Sequence, residues 1–114
     1  MSKSIFTKII QREIPAKIVF EDERVIAFED IHPQAPIHIV IVPKKEIATL
    51  NEAGTEDREL LGDCLMVAQK VARELDIQES GYRIVMNCNS DGGQTVFHIH
   101  FHLLGGRPLN HNFA

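Results

Sequence analysis

Three histidines alternate with apolar residues near the end of this 114-residue chain, and this pattern is the strongest constraint on its fold. The segment reads His98-Ile-His-Phe-His102. Successive side chains of a β-strand point to opposite faces of the sheet, so Ile99 and Phe101 would share one face and the histidines the other. The sequence therefore predicts a strand from Val96 to Leu104 with one face made of imidazole.

Length and composition indicate a single globular domain over residues 1–114. The chain is 44% hydrophobic and 25% charged, as in most soluble domains of roughly 100–150 residues. No apolar run approaches the ~20 residues of a membrane span. The net charge of −4 is opposite to that of proteins attracted to nucleic-acid polymers or anionic lipid. We therefore expect no nucleic-acid polymer and no membrane as partner and, without a secretory signal pattern, a cytoplasmic location.

The rest of the chain predicts an α+β fold with an antiparallel sheet, one long helix and one short helix. Apolar spacing predicts two helices, at Ser4–Arg12 with Ser4 as the cap and at Thr55–Asp76. Runs of β-branched and aromatic residues predict strands at 18–20, 25–28, 38–42 and 82–87. The first two strands form a hairpin and the third is central. Glycine-rich segments predict a turn at Ser90–Gly93 and a loop over Gly105–Ala114.

Three interpretations of the histidines are open at this point. They could form the polar face of a half-exposed strand, or a metal site, since neutral imidazole is a common ligand. At ~3.3 Å per residue, however, His98 and His102 lie about 13 Å apart, whereas zinc ligands must come within about 3–4 Å of one another. One ion could take only two of the three, with His38 or Cys88 to complete its ligands.

The third interpretation is nucleophilic catalysis at phosphorus, and it uses all three histidines. An imidazole that is protonated on one nitrogen presents the other as a nucleophile, and its neighbours can donate to phosphoryl oxygens or to the leaving group. The segment Asp91–Thr95 adds turn amides and a hydroxyl that suit a phosphate. The residues favour this interpretation.

The segment His98-Ile-His-Phe-His-Leu-Leu104 resembles the motif of the histidine triad (HIT) superfamily. Further segments resemble its nucleotide-binding purine nucleoside phosphoramidase branch: Ile5–Ile10, Asp30–His38, Val42–Lys45, Gly81–Arg83 and Ser90–Gln94. The resemblance implies the HIT-like fold, with sheets joined across a homodimer. It also implies metal-independent hydrolysis of AMP-linked phosphoramidates, with a purine nucleotide (AMP, GMP or their phosphoramidates) as the ligand.

The same resemblance assigns roles to individual residues. His100 corresponds to the nucleophile that forms a nucleotidyl-histidine intermediate, His98 and His102 flank it, and His38 is the fourth histidine of the network. Asp30 corresponds to the ribose ligand. The residues implied at the phosphate are Asn87, Gly93, Gln94 and Thr95. The apolar residues implied at the base are Phe6, Ile9, Ile14, Ile18, Phe28 and Ile31, whose spacing also fits an ordinary core.

Three departures from the family pattern affect function. Thr95 replaces the serine that is common in this branch and keeps its hydroxyl. Ser4, Thr7 and Glu46 stand where some bacterial relatives carry two cysteines and a histidine for zinc, so we expect neither that metal nor any cofactor. The tail Arg107–Ala114 matches no pattern, which leaves its effect on specificity open. Two other functions also stay open: a dinucleoside polyphosphate hydrolase, and a nucleotide-binding interaction protein with incidental turnover.

Overall fold

A computed structural model describes residues 3–112 and contains one five-stranded antiparallel sheet and two α-helices. The helices are α1 (Ile5–Ile10) and α2 (Arg58–Glu74), and the strands are β1 (Ile18–Glu21), β2 (Val25–Glu29), β3 (Ile37–Pro43), β4 (Tyr82–Val85) and β5 (Phe101–Gly105). The strand order is β1-β2-β3-β5-β4, which places β3 at the centre, as predicted. The α+β class is thus confirmed. The single-domain and tail predictions for Met1, Ser2, Phe113 and Ala114 lie outside the described residues.

Each helix covers one face of the sheet. On β3, Ile39 and Ile41 belong to the larger core cluster with α2, whereas Val40 and Val42 belong to a smaller cluster with Phe6 and Ile9 of α1. His38 alternates onto the α1 side with Val40, so the polar site forms beneath α1. Within residues 3–112 neither helix has the length and apolar character to cross a membrane.

The last strand is shorter than its sequence pattern predicts. It begins at Phe101 rather than Val96, because ladder pairing with β3 and β4 starts only at Phe101 and His102. Upstream, the Ile99 N–H donates to the Ile47 carbonyl at 2.7 Å, outside the ladder. Ile99 nevertheless packs in the α2 cluster. The alternation of side chains therefore reflects burial on two sides of the backbone, which does not require strand pairing.

Two other predicted bounds also change. The long helix begins at Arg58 after a separate 3₁₀ turn at Thr55–Asp57, and β4 ends at Val85 instead of Asn87. The Ser4 cap is confirmed, since its hydroxyl accepts from the Thr7 N–H. Helix α1 ends at Ile10, two residues before its predicted end at Arg12.

Candidate active site

An apolar cavity with a volume of about 110 Å³ lies between α1 and β2. Asp30 lines this cavity. Five of the six residues expected at the base line it as well: Phe6, Ile9, Ile14, Phe28 and Ile31. Ile18 packs against the same cluster without lining the cavity. Because Phe6, Ile9 and Phe28 are also core residues, the core and the candidate base site share side chains.

His98 and His100 have ring protons fixed by main-chain carbonyl oxygens, which can only accept. His98 Nε2 lies 2.8 Å from the Pro43 oxygen, so Nε2 carries the proton. His98 Nδ1 then accepts from the Ser4 hydroxyl at 2.8 Å. His100 Nδ1 donates to the His98 carbonyl oxygen at 2.7 Å. This bond leaves the lone pair of His100 on Nε2, the state that a nucleophilic imidazole requires.

His38 and His102 form a second pair, whose protons are fixed from a loop. The Gln34 N–H donates to His38 Nδ1 at 3.0 Å, so a neutral His38 carries its proton on Nε2. That Nε2–H donates to His102 Nδ1 at 2.8 Å. His102 therefore carries its own proton on Nε2. Its ring centroid lies 5.0 Å from that of His100, so a lone pair and an N–H donor occur on neighbouring rings.

Burial keeps these four imidazoles neutral at physiological pH. Desolvation is the largest cause of the lowered pKa of His38, His98 and His100. It also lowers the pKa of His102 to about 4, with the neighbouring His100 and His38 acting in the same direction. His98 is fully buried, and the exposed fractions of His100 and His38 are 6% and 7%. Neutral rings can keep the alternation of donors and acceptors described above, which added protons would break.

Asp30, His38 and His102 are the one group of three potential metal ligands that residues 3–112 bring within 4.8 Å of one another. Asp30 Oδ2 lies 3.4 Å from His38 Nε2. A metal ion on that nitrogen would move the His38 proton to Nδ1, which already faces the Gln34 N–H. Two N–H donors would then oppose each other. The donor set therefore favours a proton between the histidines over a metal ion.

Ser4, Thr7 and Glu46 converge on His98 from the first helix and the loop after β3. The Thr7 hydroxyl donates to Glu46 and lies 3.3 Å from His98 Nδ1. The hydrogen bond from the Thr7 hydroxyl is the largest cause of the lowered pKa of Glu46. Glu46 Oε1 is 3.8 Å from His98 Nδ1. The three residues thus form a hydrogen-bonded cluster whose oxygen atoms lie near His98 Nδ1.

The residues expected at the phosphate lie on a separate loop, and no hydrogen bond within residues 3–112 joins them to the four histidines. The N–H groups of Gly93 and Gln94 donate to the Ser90 and Asn89 carbonyls inside the turn. The buried Gln94 amide donates to the Ala48 and Val96 carbonyls, and its oxygen accepts from the Asn89 N–H. Gln94 therefore holds the loop together.

The two other expected phosphate ligands, Asn87 and Thr95, differ in exposure. Asn87 is half-buried just beyond β4, and Thr95 is exposed beside a second, more open cavity. The Thr95 hydroxyl is the group that the sequence predicts at a phosphate. The second cavity is also lined by Ser4, Glu46 and Phe97, so Thr95 borders the α1 end of the site.

Sequence reasoning missed the groups that fix the protons. These are the carbonyls of Pro43 and His98 and the N–H of Gln34. All three are main-chain groups: every residue has the carbonyl, and every residue except proline has the N–H. The only available signal was the position of Gln34 between Pro33 and Pro36, which indicates a bend and no partner. The partner rings lie 55, 2 and 4 residues along the chain from Pro43, His98 and Gln34.

The chain is similar to known proteins in sequence and in fold. The HIT domain family matches residues 11–109. A purine nucleoside phosphoramidase of Escherichia coli K12 is 54% identical over 107 residues, which cover 94% of this chain and 90% of that protein. The structure of a HIT family hydrolase from Legionella pneumophila superposes with a TM-score of 0.93 at 53% identity, over 96% of this chain and 97% of that one. A HIT family hydrolase from Clostridium thermocellum gives 0.96 at 46% identity, over 100% and 99%.

Proposed function

This chain belongs to the HIT domain family, and from that premise we propose that it hydrolyses purine nucleoside phosphoramidates through a covalent intermediate on His100. The observation that carries the proposal is the pairing of proton states on adjacent rings. His100 presents a lone pair on Nε2, and His102 presents a proton on Nε2. Cleaving a phosphorus–nitrogen bond requires both, because the phosphorus must be attacked and the departing amine must gain a proton.

In the first step the His100 Nε2 lone pair forms a bond to the α-phosphorus. The phosphorus–nitrogen bond breaks, and its electron pair stays on the amine nitrogen. That nitrogen takes the proton of His102 Nε2, while the hydrogen bond from His38 stabilises the charge left on His102. The nitrogen that departs with this electron pair is an amide anion, which is a far stronger base than the imidazolate left on His102, so a neutral histidine suffices as the acid.

In the second step water attacks the phosphorus of the adenylylated histidine. The bond from phosphorus to His100 Nε2 breaks and its electron pair returns to the ring. The water proton goes back to His102 Nε2, so both histidines regain their starting states. The products are the free amine and the nucleoside monophosphate.

The remaining residues bind and position the substrate in this proposal. Asp30 accepts from the ribose hydroxyls at the mouth of the apolar cavity, and the purine lies against Phe6 and Phe28. Asn87, Gly93, Gln94 and Thr95 form the phosphate side. Both nitrogens of His98 are occupied within the protein, which favours a positioning role through its carbonyl over the expected contact with phosphoryl charge.

A fluorogenic adenosine phosphoramidate tests the proposal directly. We expect turnover, and rapid quenching should trap an adenylyl group on the peptide that contains His100. Faster turnover of a diadenosine polyphosphate would favour the dinucleoside polyphosphate hydrolase. AMP binding with negligible turnover of either substrate would favour a nucleotide-binding interaction protein.

Chelation tests metal independence. Turnover should persist after chelation, because the two nitrogens between His38 and His102 share a proton and are not free to bind a metal ion. Loss of turnover that stoichiometric zinc restores would refute metal independence.

We also propose a homodimer in which β4 pairs with its counterpart. Within the described chain β4 lies at one edge of the sheet, paired only with β5, and an edge strand can continue pairing in a second copy. Sedimentation equilibrium at micromolar concentration should give twice the monomer mass of 12.9 kDa. A 12.9 kDa species would refute the dimer. The cytoplasmic location stays a prediction that cell fractionation can test.

A further inference from the structure

We propose that Arg107, in the turn after β5, is a positioning residue that selects which nitrogen of His102 carries the proton. It acts through the main chain of Gln34 and the ring of His38. The inference rests on the proposed function, because it concerns the proton that the leaving amine receives.

Arg107 joins the end of the sheet to the loop before β3. Its Nη2 donates to the Gln34 carbonyl oxygen at 3.1 Å, and its Nη1 donates to the Pro108 carbonyl oxygen at 3.1 Å. One planar guanidinium therefore links two main-chain segments. Gly106 packs closely against the same loop: a Cβ on this residue would lie 3.0 Å from Pro36 Cβ, and its φ of 94° favours glycine.

Gln34 is the residue whose N–H fixes the proton of His38. Its other contacts lie inside its own loop, where its side chain donates to the His32 carbonyl at 3.0 Å. Apart from the bond to His38, Arg107 provides the only hydrogen bond that Gln34 receives from another part of the described chain. The loop is exposed at Gln34, so this one external bond restrains the direction of the N–H.

Losing that restraint would allow a second proton arrangement. If the Gln34 N–H turns away, His38 Nδ1 can hold the proton and His38 Nε2 becomes an acceptor. His102 Nδ1 then becomes the donor between the rings, and His102 Nε2 carries a lone pair. In that state His102 has no proton to give to a departing amine, although the His100 nucleophile is unchanged.

Two AMP derivatives with different leaving groups separate this role from a structural one. An alkylamine phosphoramidate needs a proton as it leaves, whereas a p-nitrophenyl ester leaves as a stable anion. For Arg107→Ala we expect kcat to fall roughly ten- to a hundredfold with the amine, below the ~10²–10⁴-fold worth of a complete general acid, and less than about threefold with the ester. Arg107→Lys should retain an intermediate rate, since the single nitrogen of an ammonium does not reproduce the planar fork whose two nitrogens reach the two carbonyls.

Arg83→Ala is the matched control. Arg83 donates to the Asn110 carbonyl at 2.5 Å, so it also holds the tail, without touching Gln34. We expect both substrates to be turned over at near-normal rates. Equal losses with the two substrates in Arg107→Ala, or the same selective loss in Arg83→Ala, would overturn the proposal.

Imidazole ¹⁵N chemical shifts provide a readout that does not depend on turnover. In the wild-type chain, His38 and His102 should both be protonated on Nε2. In Arg107→Ala a second form protonated on Nδ1 should appear for both rings and not for His100. An unchanged spectrum would overturn the proposal. A wild-type chain inactive on both substrates would refute the proposed function, and the NMR result would then decide the role of Arg107 alone.

Discussion

The two histidine pairs of the site differ in what holds their protons. The pair of His98 and His100 is fixed by carbonyl oxygens of Pro43, in the central strand, and of His98 itself. The pair of His38 and His102 is fixed by one amide of an exposed loop. The proposed nucleophile is therefore as stable as the core beside it, whereas the proposed proton donor is only as well ordered as the loop. Substitutions in the first pair should lower stability or abolish the reaction with every substrate. Substitutions in the second pair should lower the rate by a factor that depends on the leaving group.

The largest effect is expected for His100→Ala. Turnover should fall by several orders of magnitude, as nucleophile removal does in covalent enzymes. The affinity for AMP should change by no more than about tenfold, or roughly 1.4 kcal/mol, because the cavity walls remain. Steady-state kinetics and calorimetry measure the two quantities, with the exposed His111→Ala as the control. A near-normal rate, or an adenylyl group on His98 or His102, would contradict the assignment.

The next largest effect tests the loop-held pair. For His102→Ala we expect a loss of about 10²–10⁴-fold on an alkylamine substrate, the usual range for a general acid. The loss on the p-nitrophenyl ester should be at least tenfold smaller. His38→Ala should show the same selectivity with a smaller loss, since His102 keeps its ring. Equal losses on both substrates would mean that the two histidines orient the phosphate and do not supply a proton.

A smaller effect is expected at the core-held pair. Ser4→Ala removes both the cap of α1 and the donor to His98 Nδ1. Loss of a helix cap costs about 1 kcal/mol of unfolding free energy, with a range of roughly 0.5–2. Urea unfolding should show this loss while kcat falls less than tenfold, equally for both leaving groups. Ser80→Ala, which removes a bond of 3.4 Å in a distant turn, is the control. A selective loss on the amine substrate would erase the distinction between the pairs.

The smallest effect concerns pH. Because burial lowers the pKa of all four histidines, the unfolded chain binds more protons below its ordinary histidine pKa of about 6.5. The contribution to stability is thus fully present above pH ~6.5 and is lost as the pH falls toward the His102 value of about 4. Melting temperatures between pH 7.5 and 5 should decline in the wild-type chain, and less steeply in His102→Ala. An equal slope in both chains would show that His102 does not contribute.

The sequence predicted the elements that local patterns determine. The run Ile39–Val42 is a central strand because its four β-branched residues can pack on both faces of the sheet. Ser4 caps α1 because its hydroxyl accepts from the Thr7 N–H. The prediction of a strand over Val96–His100 was wrong. Alternating polarity indicates which side each residue faces, but it does not indicate whether a neighbouring strand pairs with the segment. The pattern was physically correct about burial and wrong about the ladder.

The site could be predicted only in part, for a similar reason. The residues proposed for catalysis and for binding, such as His100 and Asp30, lie in segments with a recognisable pattern. Proton positions are set by main-chain groups brought together from distant segments, as with the Pro43 carbonyl and the His98 ring, which are 55 residues apart. A carbonyl or an amide is present at nearly every residue, so no residue type marks the one that points at an imidazole. Only the folded backbone identifies it.

The six-residue helix α1 makes ligand affinity a property of local folding. A helix this short is only marginally stable by itself, since isolated helices need about 12–15 residues. Phe6 and Ile9 of α1 line the apolar cavity, and its cap residue Ser4 donates a hydrogen bond to His98. Any opening of α1 separates these parts at once, so the proposed nucleotide ligand would bind only the closed form. By mass action, ligand at a hundred times its Kd raises the free energy of that opening by about 2.7 kcal/mol. Lys8, in the last turn of α1, can thus tune affinity through the helix dipole without touching the ligand.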